Sequence, residues 1–254
     1  MAGHSKWANI KHKKAKADAV KGKMFTKLAR EIMIAAREGG GDPNTNFRLR
    51  LAVEKAKSIN MPNDNINRAI LRGTGEIGAE QVEEMVYEGY GPGGVAVYLD
   101  IVTDNRNRTA GDIRHIFSKY GGNLGETGCV AWMFDKKGLF VVEKEDGQLP
   151  GGLDEDTLLM LALEAGAEDV QSHPDYVEII TDPAQFDEVQ EKLSTAGVKY
   201  TDAEITMIPN NKVNLDEETA LKLAKLITAL DDYDDVQNVY YNADIPDEVF
   251  EKIE

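Results

Sequence analysis

The sequence predicts an α+β protein: an N-terminal helical domain followed by two ferredoxin-like α/β sandwich domains, one inserted into the other. Three observations carry that reading. Apolar residues recur at helical spacing up to about Gly73, and alternating, β-branched stretches take over beyond Gly73, Gly75 and Gly78. The chain then spells a β-α-β-β run, next a complete β-α-β-β-α-β, and only afterwards another helix and strand. A motif interrupted by a whole copy of itself is the economical explanation, with bounds of 1–77 for the helical domain, 78–134 and 209–254 for the split domain, and 135–208 for the insert.

Val20, Met24, Phe25, Leu28 and Ile32 line one face of a first helix that Gly39, Gly40 and Gly41 stop. A second helix spans about 46–60, with turn chemistry at Asp42-Pro43-Asn44-Thr45 before it and Phe47, Leu51 and Ile59 inward. A third, short helix is capped by Asn63 or Asp64, ends at Gly73, and turns Ile66, Ala69 and Ile70 to the core. Strands are expected at 82–90 and 95–102, joined by the turn Gly91-Pro92-Gly93-Gly94, then a helix at 109–120 and strands at 123–124 and 130–134. The insert reads as strand 138–142, helix 154–163, strands near 170 and at 176–181, helix 183–195 and an extended segment 198–208. Helix 215–230 and strand 236–241 complete the host.

Charge is divided along the chain. Overall there are 29 Lys+Arg against 45 Asp+Glu, a net −16. Residues 1–72 hold 16 of the cations and 6 of the acids, or +10, so the remainder, with 13 and 39, stands at −26. A basic end on an acidic protein points to a polyanion or membrane partner for that end, while the acidic remainder repels nucleic acid and leaves room for a protein partner. No apolar run approaches the roughly 18–20 residues of a membrane span, and the N-terminus lacks the apolar stretch of a secretory signal. The single cysteine, Cys129, excludes an intrachain disulfide and fits a reducing compartment, so a cytoplasmic location is expected.

The candidate interface starts in the Lys-rich arm. Lys6, Lys11, Lys13, Lys14 and Lys16 are read as a phosphate-tracking surface with Trp7, His4 and His12 available for stacking, the alternative being a solvated basic face. Lys21, Lys23, Lys27 and Arg30 continue the cationic surface onto the first helix, on the side that meets solvent or phosphate. Asn63, Asn65, Asn67, Arg68 and Arg72 place amides and guanidinium groups on the third helix, where they can read base edges or simply cap and turn. The segment Thr103-Asp104-Asn105-Arg106-Asn107-Arg108-Thr109 joins a strand to a helix. Arg106 and Arg108, with Arg114 one helical turn on, offer a second contact surface, or Asp104 and Thr109 act only as caps.

Other motifs read as structure. Gly89 to Gly94 looks like a dinucleotide loop but lacks the following helix, so it is a hairpin turn. Asp231-Asp232-Tyr233-Asp234-Asp235 lacks calcium-loop spacing and reads as a solvated loop. Four histidines and one cysteine make no zinc set, no nucleophile motif is present, and Cys129 beside Val130 and Trp132 reads as core. No cofactor, metal, small-molecule substrate or catalytic residue is expected.

Four stretches, Ala2 to His12, Asn60 to Ile66, Tyr87 to Gly94 and Thr103 to Thr109, together resemble the YebC/PmpR family over essentially the full length. The resemblance implies three domains with the central one split, a cytoplasmic bacterial setting, no catalysis, and a role as a DNA-binding transcriptional regulator. Mitochondrial relatives act as translational activators. Some bacterial members are ribosome-associated factors that relieve stalls at proline-rich stretches, so an RNA-binding translation factor contacting ribosomal RNA or tRNA is the alternative. The family brings no catalytic set to carry over. A third reading, outside nucleic acid, is an acidic protein-interaction scaffold whose basic arm docks an acidic patch or membrane surface.

Overall fold

The computed structural model describes residues 21–78 and 82–253. Helix α1 (Lys21–Gly39) buries Leu28, Ile32, Ala35 and Ala36 against helices α2 (Phe47–Ser58) and α3 (Asn63–Gly73). Asn46 joins the first two. Its side chain accepts from Leu49 N at 3.1 Å, capping α2, and donates to Ala35 O at 2.7 Å and Gly40 O at 2.8 Å, satisfying carbonyls at the end of α1. That cap sets the phase of α2: Leu49, Ala52, Val53 and Ala56 are buried, whereas Phe47 and Leu51, expected inward, are only half-buried. Helix α3 begins after Pro62 with no side-chain cap. Asn63 and Asp64, expected as caps, are its first residues, and Asp64 complements the positive end of the helix dipole. Gly73 lets α3 touch α1, since a Cβ there would sit 2.3 Å from Met33 O and 2.8 Å from Ala36 Cβ.

Beyond the bundle, β1 (Glu83–Tyr90) and β2 (Ala96–Thr103) form a hairpin around a 3-10 turn at Pro92–Gly94, with Gly93 at φ +74°. Helix α4 (Arg106–Lys119) and the short β3 (Asn123–Leu124) follow. A strand was expected over 130–134, but of these residues only Phe134 is in one, as the first residue of the strand that follows. The buried Glu88 carboxylate accepts from Gly128 N at 2.6 Å, Val130 N at 2.8 Å and Ala131 N at 2.7 Å, so those amides are unavailable to a ladder, and Ala131–Met133 is a 3-10 turn. Nor is this segment core as a whole: Val130 is buried, Cys129 half-buried, and Trp132 67% exposed.

The chain then runs through β4 (Phe134–Glu143), α5 (Glu155–Ala165), β5 (Asp169–Ser172), β6 (Tyr176–Thr181), α6 (Phe186–Thr195) and β7 (Asp202–Pro209), and closes with α7 (Glu217–Asp231), β8 (Val236–Tyr241) and α8 (Asp247–Glu251). The described residues divide into two compact units, one formed by Met133–Asn211 and the other by those up to Trp132 together with those from Lys212 onward.

Met133–Asn211 is an antiparallel sheet ordered β5-β6-β4-β7 with α5 and α6 side by side, the β-α-β-β-α-β layout of a ferredoxin-like sandwich. Phe140 stacks on Phe186 of α6 at 4.5 Å, fixing helix to sheet. In the other unit the sheet is ordered β3-β1-β2-β8, again all antiparallel. Its connectivity differs from the expected β-α-β-β start: β1 fills the place that the third strand holds in the insert, yet enters the sheet first. Val97, Leu99 and Ile101 of β2 pack with Ile113 and Phe117 of α4 and Leu223, Leu226, Ile227 and Leu230 of α7. A pad of Met33, Ile34, Val82 and Val102 seats α1 on this sheet.

Candidate nucleic-acid interface

The arm residues Lys6, Trp7, Lys11, His12, Lys13, Lys14 and Lys16 lie outside the described residues. Lys21 opens α1, and the cations that follow meet the chain itself. Lys23, Lys27 and Arg30, spaced i, i+4 and i+7, form one stripe of the helix. Lys23 Nζ donates to Asp232 O at 3.2 Å and Oδ1 at 3.4 Å, and Lys27 Nζ to Asp231 O at 2.7 Å and Oδ1 at 3.4 Å. Arg30 donates to Asp234 O at 2.6 Å and Asp235 Oδ1 at 3.2 Å, and further along α1 Arg37 donates to Val82 O at 2.7 Å. The stripe thus binds the C-terminal carbonyls of α7 and the acidic loop beyond it, where the helix dipole already favours positive charge.

The segment Asp231 to Asp235, expected to be a solvated loop, is therefore a dock. Its centre is Asp235, whose side chain is 4% exposed and accepts from four groups: Arg30 at 3.2 Å, Arg108 at 2.7 Å, Thr103 Oγ1 at 3.1 Å and Thr109 Oγ1 at 2.8 Å. Burial pushes this carboxyl up, and the bonds from Arg108, Thr109 and Thr103 overcome it, holding the group below the usual carboxylate range. Arg108 in turn is held in its charged form by Asp235, Tyr233 and Asp104. Tyr233 donates to Asp112 at 2.6 Å, and its phenol is pushed up to about 12 by burial and by that carboxylate.

Helix α4 is capped by Asn105, which accepts from Arg108 N at 3.1 Å, rather than by Asp104 or Thr109. The structure separates the two arginines of this segment. Arg108 faces inward to Asp235 and Asp104, whereas Arg106 is 71% exposed with Glu83 at 3.7 Å. Asn107, Arg114 and His115 are exposed along the outer side of α4.

On α3 the polar residues face away from the bundle. Asn63, Asn65, Asn67, Arg68 and Arg72 are all exposed while Ile66 and Ala69 are buried. Asn65, Arg68 and Arg72 fall at i, i+3 and i+7, one row of amide and guanidinium groups on a helix fixed from behind at Gly73. Such a row offers several N–H donors to phosphate or base-edge acceptors at once. Sequence reasoning placed Arg30 with Lys23 and Lys27 on the side that meets solvent or phosphate and missed Asp235, and the available signal was the matching of three cations at helical spacing by a five-residue stretch holding four aspartates.

Among the described residues no group of three or more His, Cys, Asp or Glu side chains is arranged to hold a metal ion, and no helix is long and apolar enough to cross a membrane.

A three-helix bundle carrying outward amides and guanidinium groups, followed by two antiparallel α/β sheets, defines a class of α+β protein that offers helix faces to its surroundings. The chain belongs to the TACO1/YebC family. The sequence model described as the TACO1/YebC protein N-terminal domain matches residues 5–76, and that of the second and third domain matches residues 82–243. A protein of Halothermothrix orenii named "probable transcriptional regulatory protein" is 58% identical over 254 residues, covering 100% of this chain and 99% of the relative. One of Natranaerobius thermophilus with the same name is 57% identical over 251 residues, covering 99% of both. A crystal structure of a conserved hypothetical protein from Aquifex aeolicus superposes with a TM-score of 0.83 at 51% identity, over 95% of this chain and 98% of that one.

Proposed function

We propose that this chain is a non-enzymatic, cytoplasmic, DNA-binding regulator of transcription. Residues 1–77 form its nucleic-acid-contacting part, and 78–134 with 209–254 and the insert 135–208 act as the scaffold. The names of the full-length relatives support regulation of transcription. The observation that supports the contact surface is the exposed guanidinium and amide row of α3, Asn65, Arg68 and Arg72; Lys23, Lys27 and Arg108 meet aspartates of the same chain. In this reading Lys6, Lys11, Lys13, Lys14, Lys16 and Lys21 neutralise phosphates and Trp7 and His12 stack. Arg68 and Arg72 add fixed donors, with Arg106 and Arg114 as a second contact. Lys23, Lys27 and Arg108 instead hold the scaffold together.

The test is the salt dependence of binding to a labelled duplex. Replacing Lys11, Lys13, Lys14 and Lys16 with Ala reduces the magnitude of the log-log salt slope by about 3–4, from about 0.9 per phosphate contact, uniformly across sequences. Lys23→Ala leaves it unchanged. An unaltered slope in the four-lysine variant overturns the arm as the contact surface. Crosslinking in living cells distinguishes the target: promoter DNA supports the reading, whereas arm-dependent recovery of ribosomal RNA and tRNA replaces it with a translation factor.

A further inference from the structure

Helix α5 is apolar on both sides. Leu158, Ala162 and Ala165 are buried against the sheet of its own unit, yet Leu159, Met160 and Leu163 on the outer side are 39%, 61% and 51% exposed. Among the described residues the exposed large apolar side chains are these three together with Ile77 and Trp132. Three neighbours at i, i+1 and i+4 on one helix form a contiguous stripe rather than scattered exposure. A helix apolar all round is ordinarily buried all round.

The surroundings narrow the occupant. Asp156 and Glu164 flank the stripe on α5. The adjacent α6 turns Asp187, Glu188 and Glu191 outward, with Lys192 paired to Glu188 at 2.7 Å. Residues 133–211 as a whole hold 18 Asp+Glu and 5 Lys+Arg, a net −13. That field repels phosphate backbones and anionic lipid surfaces, and a two-fold contact with a second copy of the same face would set acid against acid.

We propose that the Leu159-Met160-Leu163 face docks an amphipathic helix of a partner protein, one whose apolar stripe is edged by Lys and Arg. The mode is helix against helix, with aliphatic anchors supplying the contact and the acidic rim selecting and orienting a cationic partner. This surface is independent of the nucleic-acid reading, since it lies in the insert and uses none of the cations.

A photo-crosslinking amino acid placed at Met160 or at Leu163 of the full chain in living cells, with the exposed Lys199 as control position, tests it. The result expected is one partner peptide attached at both positions and absent at Lys199. Its sequence holds apolar residues at i, i+3 or i+4 spacing beside two or more Lys or Arg. The synthetic peptide then binds the purified full chain at physiological salt, and L159D weakens that binding at least about tenfold while the thermal melt of the protein stays in place. Adducts to this chain, to nucleic acid or to lipid, an acidic partner peptide, the same adduct at all three positions, no adduct, or a peptide insensitive to L159D each overturn the proposal.

Discussion

Asp235→Asn removes one charge while preserving shape, and it acts where α1, β2 and α4 meet. The carboxylate takes hydrogen bonds from two guanidinium groups and two threonine hydroxyls. An amide keeps a single acceptor oxygen and turns an NH2 toward donors. Each charge-assisted bond contributes about 1.5–3 kcal/mol, and breaking a fully buried pair costs about 3–5 kcal/mol. Arg30 and Arg108 have side chains 23% and 45% exposed, so each regains part of its hydration when Asp235 is neutralised. The net cost is therefore about 3 kcal/mol. Because the chain holds two compact units, a single melting temperature does not report the site, and hydrogen exchange does. Amides of α1 and of the first turns of α4 should lose roughly a hundredfold of protection, at about 1.4 kcal/mol per factor of ten, while β4 to β7 are unaffected. In the parent protein the folded-state pKa of Asp235 is depressed. Its stabilisation is fully present above the unfolded carboxylate value of about 3.9 and is lost as pH falls through the lower folded value. Loss of α1 protection already at pH 5, or a change in D235N below about 0.5 kcal/mol, would refute the account of this dock.

Three further outcomes follow from named contacts. Gly73→Ala drives a methyl to 2.3 Å from Met33 O, so the helix crossing must open and stability falls by at least about 2 kcal/mol in urea unfolding, despite the better helix propensity of Ala. Glu88→Gln replaces a carboxylate that holds three backbone N–H groups, costing about 2 kcal/mol and changing the fluorescence of Trp132, whose Nε1 donates to Cys129 O at 3.1 Å within that loop. The Cys129 thiol is pushed up by burial and then by the nearby Glu88, so its alkylation rate rises only at pH above the range of a free thiol. E88Q should shift that profile downward, read by mass spectrometry of iodoacetamide-treated protein.

Local periodicity was enough to place the helices and most strands, because each buries a face whose spacing is written in its own residues. What escaped it depends on partners far along the chain. Residues 130–134 have strand composition, but the amides of Val130 and Ala131 belong to Glu88, about 40 positions earlier. The phase of α2 follows from Asn46 serving two helices at once, which the turn chemistry before it does not reveal. In the candidate interface, the outward row on α3 was legible because Ile66 and Ala69 define its opposite face. The sorting of Lys23, Lys27 and Arg108 away from that surface was not. A lysine in a basic run looks the same whether its counter-charge is a phosphate or an aspartate over 200 residues downstream.

The two ends of the insert meet: Phe134 pairs with Pro209, and Asn210 N donates to Met133 O at 2.9 Å. The host sheet, in contrast, gains its edge strand β8 only from Val236–Tyr241. On a growing polypeptide the insert can therefore close while the host still lacks both α7 and β8, reversing the usual order in which earlier segments finish first. The dock at Asp235 can form only once residues 231–235 are made, so newly made chains spend an interval with Lys23, Lys27 and Arg30 without the aspartates that later neutralise them. A nascent chain stopped before Asp231 would expose a more cationic α1 than the finished protein ever does.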